Sequence, residues 1–72
     1  MTTYRIRIGE QLSERWRGYF GTLALSQVEA GGKTLSELTG TLDEAALHGV
    51  LNQLCDLNLH LVSVDTVEEV DA

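Results

Sequence analysis

His48, Asn52 and Cys55 stand at i, i+4 and i+7, a spacing that sets all three on one side of a helix and sketches a histidine-activated thiol. Two helical turns separate the histidine from the cysteine, roughly 10 Å along the axis, which is beyond a direct hydrogen bond. The thiol therefore reads as a packing residue, and His48 with Asn52 is left as a candidate polar site. His48 and His60 could join Asp56 or Asp43 around a metal, but the chain has no HxxxH pair, no CxxC and no second cysteine. No metal, no other cofactor and no catalytic residue is expected. Gly31-Gly32-Lys33-Thr34 has the ending of a phosphate-binding loop, yet Gln27 stands where that motif needs its first glycine, so a hairpin turn explains it better. Trp16, Tyr19 and Phe20, flanked by Arg15 and Arg17, could stack on a planar ligand. In a chain with so few aromatics they read first as the lid of the core, and, together with Arg5 and Arg7, as the candidate interaction surface.

The elements that must hold these residues follow from periodicity. Tyr4-Arg5-Ile6-Arg7-Ile8 alternates as a half-buried strand. Ser13 can cap a short helix over 14–20 in which Trp16, Tyr19 and Phe20 share a face, with Gly18 weakening it and Gly21 ending it. Residues 22–28 form a second strand. A third, over 34–39, returns through the Gly31-Gly32 turn, with a bulge expected because Leu35 and Leu38 fall on opposite faces. Thr41-Leu42-Asp43-Glu44 matches a capping box, and Asp43 is an alternative cap for a helix running to about Asp56. Ala46, Leu47, Val50, Leu51 and Leu54 give that helix one apolar face. Gly49 implies close approach to the sheet or to a neighbouring subunit, and Asn58 suits the left-handed residue that ends a helix. The last strand, 59–67, is expected to be buried on both sides. The order β-α(short)-β-β-α-β predicts an α+β fold, a ferredoxin-like antiparallel sheet with helices on one face, over a single domain of residues 1–67 with an acidic tail at 68–72. The first crossover has only twelve positions, so a β-β-β-α meander with a strand added stays open.

Composition narrows the function classes. The net charge of −6 argues against nucleic acid as a partner. The bases all lie in residues 1–33, where five of them face three acids for a balance of +2, whereas residues 34–72 hold eight acids and no base, a balance of −8. Such polarity could steer self-association, basic end to acidic end. The first residues lack a signal-peptide core and no window is apolar enough to span a bilayer, so a cytoplasmic protein without a membrane partner is expected. A core from 72 residues rarely supplies more than about 3–5 kcal/mol unaided, and one cysteine precludes an internal disulfide. A second copy of the chain is the remaining stabiliser.

Asp43-Glu44-Ala45-Ala46-Leu47-His48-Gly49-Val50-Leu51, followed by Asp56-Leu57-Asn58-Leu59-His60-Leu61-Val62-Ser63-Val64, resembles a group of small uncharacterised bacterial proteins. Their usual pattern reads D-x-A-A-L-H-G-L-L and then D-L-G-L-x-L-L-S-V. The first strand, Trp16 and Phe20-Gly21 are similar to that group as well. Asn58 replaces its glycine, and Cys55 stands where a basic residue is common, which weighs against an essential thiol. The resemblance implies a bacterial, stand-alone protein and assigns no functional residue. The expectation is a non-enzymatic interaction module, a homodimer or higher oligomer that also binds another protein, with a small-molecule-binding regulatory domain, its ligand at a subunit interface, as the alternative.

Overall fold

Tyr4, Ile6 and Ile8 alternate with two arginines, and a period of two places the apolar members on one face of a strand. In the computed structural model, which describes residues 1–67, this strand is β1, Thr2–Ile8. Gly31 and Gly32 have φ of 58° and 77°, the pair of positive values a type I′ turn demands, and join β2, Ala24–Ala30, to β3, Lys33–Leu42. β3 also pairs antiparallel with β1, from Thr2 opposite Leu42 to Ile8 opposite Ser36. On the other side of β1 lies β4, Leu61–Thr66, again antiparallel. The sheet runs β2-β3-β1-β4, so β2 and β4 are its edges, and β1 sits between β3 and β4 rather than beside β2, which rules out the meander.

One helix, α1 (Glu44–Asp56), covers one face of the sheet. Asp43 caps it, Oδ1 accepting from the Ala46 N–H at 2.7 Å, and Thr41 of the capping box belongs to β3 instead. Asn58, at φ 58°, closes the other end. The Leu59 N–H donates to the Leu54 carbonyl and the Asn58 N–H to that of Cys55, both at 3.0 Å, which is a Schellman closure. Leu47, Val50 and Leu54 descend from α1 onto Ile6, Ile8, Leu38 and Leu42 of the sheet. Leu12, Phe20 and Leu23, from the connection between β1 and β2, complete the core. No helix among the described residues is long and apolar enough to cross a membrane.

The domain is thus α+β, with a four-stranded antiparallel sheet and one helix, and the ferredoxin-like pattern with its two helices is not matched. Where the short helix was expected there is only a 3-10 turn, Glu14–Trp16, because Arg17 is extended and Gly18 turns left-handed at φ 82°. Ser13 caps it through its backbone carbonyl, not its hydroxyl. β3 needs no bulge: Leu35 pairs with Val28 on the open face and Leu38 with Leu25 on the covered one. The register instead breaks between β1 and β4, where Arg7 pairs with Ser63 but Ile8 with Leu61. β4 is not buried on both sides, since it is an edge and Leu61 and Val62 are 44% and 48% exposed. Ala46 is exposed and Leu51 only half-buried, so the buried stripe of α1 is narrower than its apolar pattern. Gly49 is exposed, and a Cβ there would meet nothing within 4 Å, so no approach to the sheet calls for it. The acidic tail at 68–72 lies outside the described residues.

Candidate functional site

Because α1 and the 9–23 connection both pack on the face that carries Ile6 and Ile8, the opposite face of the sheet stays open among the described residues. Arg5 lies there between Thr39 of β3 and Asp65 of β4, and Arg7 between Glu37 and Ser63. The Arg7 Nε donates to Glu37 Oε2 at 3.1 Å, and Glu37 Oε1 accepts from the Thr39 hydroxyl at 3.4 Å. The Arg5 Nε is enclosed with no hydrogen-bond partner among the described residues. The basic first half of the chain and its acidic second half therefore meet strand by strand inside one molecule. One ion pair, Arg7 with Glu37, joins the two halves there, and as a partly exposed pair it contributes about 1 kcal/mol or less.

The aromatic candidates are on the other side of the sheet. Trp16 and Phe20 stack with centroids 6.0 Å apart, and Tyr19 meets each edge-on at 5.1 Å. Phe20 is core and Trp16 packs against the core, while Tyr19 is 51% exposed. The fold thus brings Trp16, Tyr19 and Phe20 together and separates them from Arg5 and Arg7 by the thickness of the sheet. His48 and Asn52 share the outer, exposed side of α1 with Cys55, and neither makes a side-chain hydrogen bond among the described residues. No three His, Cys, Asp or Glu side chains among the described residues converge as metal ligands.

Several features had little signal in the sequence. Ser36 is fully buried on the covered face: its hydroxyl accepts from the Leu12 N–H at 2.7 Å and donates to the Glu10 carbonyl at 2.7 Å. Together with the Gln27 amide, which donates to the Leu12 carbonyl at 3.3 Å, it pins the start of the 9–23 connection to the hairpin. The Glu10 carboxylate also accepts from the His60 N–H at 2.7 Å, tying the same loop to the residue that precedes β4. Beside that tie an open groove of about 460 Å³ runs between Lys33, Leu35, His60 and Val62, with Glu10 also in its lining. A second open cavity, about 360 Å³, lies against β2 between Leu12, Arg17, Leu25 and Gln27.

Among the described residues nothing covers either sheet edge, and the two edges differ. β4 is six residues long with an irregular register, whereas β2 is seven residues long, paired regularly with β3 from end to end, and carries one charge, Glu29. Bulges, prolines and charges are the usual means by which an edge is kept from pairing, and β2 lacks all but the last.

Comparison with curated proteins and with solved structures yields no match to this chain. Residues 3–65 match the family described as Domain of unknown function (DUF8691), a span from β1 to the penultimate residue of β4. The chain belongs to that family.

Proposed function

We propose that this chain is a non-enzymatic module of a bacterial cytoplasm that works as a homo-oligomer and presents its joined surface to another protein. The observation that carries the reading is a four-stranded sheet with both edges uncovered among the described residues, one of them regular and nearly free of charge. Unpaired edge N–H and C=O groups are a ready template for another strand, and a core of this size gains most from a partner. Exposed Leu61, Val62 and Tyr19 add apolar surface that association would remove from water.

The second reading, a small-molecule-binding regulatory domain, rests on the groove between Lys33, Leu35, His60 and Val62. It is too open to enclose a ligand alone, and an apposed subunit would close it. Light scattering over a hundredfold concentration range tests the main reading. Twice the chain's 7.9 kDa or more at the upper end is expected, and 7.9 kDa throughout would overturn it.

A further inference from the structure

We propose that β2 pairs with β2 of a second copy, antiparallel about a two-fold axis at Gln27, making one continuous eight-stranded sheet. This rests on the homo-oligomer reading above and names its interface. The hairpin fixes which backbone groups are available. A two-residue I′ turn closes on a hydrogen-bonded pair, here Ala30 and Lys33, and an antiparallel ladder alternates from there. Ala30, Val28, Ser26 and Ala24 thus direct their N–H and C=O groups towards β3, and Glu29, Gln27 and Leu25 direct theirs outward. An antiparallel partner must match outward residues to outward residues. Placing the axis at Gln27 sets Gln27 opposite itself and Leu25 opposite the second copy's Glu29, with every outward group of the three residues engaged.

Side chains agree with this register. On the open face it places Ser26 opposite Val28 and Ala24 opposite Ala30, small and uncharged residues that let strands approach. On the covered face each Glu29 arrives beside Leu25, at the mouth of the cavity that Leu25 shares with Arg17. Arg17 uses one guanidinium nitrogen, Nη2, on Glu14 at 3.3 Å, both groups being well exposed, and its other N–H groups can take a second carboxylate. The two-fold repeats that contact, so two arginines receive two glutamates.

Cysteine cross-linking reads the register directly. In a Cys55→Ser background, Gln27→Cys should form a disulfide-linked dimer under mild oxidation. A hydrogen-bonded antiparallel pair holds its Cα atoms about 5.5 Å apart, within disulfide reach. Val62→Cys, on the opposite edge, should not. Arg17→Glu should weaken the dimer about tenfold through its two symmetric contacts, and Arg17→Glu with Glu29→Arg should restore it. A dimer by mass that links through position 62 and not 27 would overturn the β2 interface and leave the homo-oligomer reading intact. A chain that stays monomeric by mass would overturn both.

Discussion

Ser36 shows how one hydroxyl can organise a domain this small. It sits among Ile8, Leu38 and Leu12 with no access to water and makes good both a backbone donor and a backbone acceptor of the 9–13 segment. Ser36→Ala would leave the Leu12 N–H and the Glu10 carbonyl buried without partners, and should cost about 1–3 kcal/mol, measured by urea unfolding. A loss within 0.5 kcal/mol would mean that water reaches the site. This residue also explains where the sequence misleads. A polar side chain on the covered face and Leu35 on the open one invert the alternation expected of β3, so a bulge was the natural way to reconcile Leu35 with Leu38. The alternation in β1 could be read because its polar members are arginines, which do not enter a core unpaired.

The elements differ in how much of them local residues determine. The cap of α1 was legible as the second of two choices, Asp43 bonding the backbone three positions on while Thr41 of the capping box stays in β3, and Asn58 was legible for a similarly local reason. The 14–20 segment was not. Its aromatics have helical spacing and do pack together, yet they do so across a turn, since stacking with Phe20 in the core fixes their positions and the backbone between them is free to leave the helix at Gly18. Burial of β4 was overestimated because an apolar run reads the same in a central strand and at an edge, and strand order is a long-range property. Gly49 gives the test at this scale. With open space where its Cβ would be, Gly49→Ala should stabilise α1 by about 1 kcal/mol, a gain of about 4–8 °C in Tm for a domain this size, without changing the solution mass. Loss of the oligomer on that substitution would place the interface on the helix.

For the whole molecule, the charge pattern of the chain suggested two opposed poles, and folding interleaves them: Arg5 and Arg7 of β1 stand between the acids of β3 and β4. What this leaves for association is a matter of backbone rather than of net charge, a regular edge whose outward groups have no partner among the described residues. Amide hydrogen exchange at residue resolution tests that claim most directly, because it reads those N–H groups themselves. At concentrations where the chain is associated, Leu25, Gln27 and Glu29 should be protected, and diluting below the dissociation constant should return them to rapid exchange while Leu38 and Ile6 at the sheet centre stay protected. Rapid exchange at Leu25, Gln27 and Glu29 in the associated state would contradict the account.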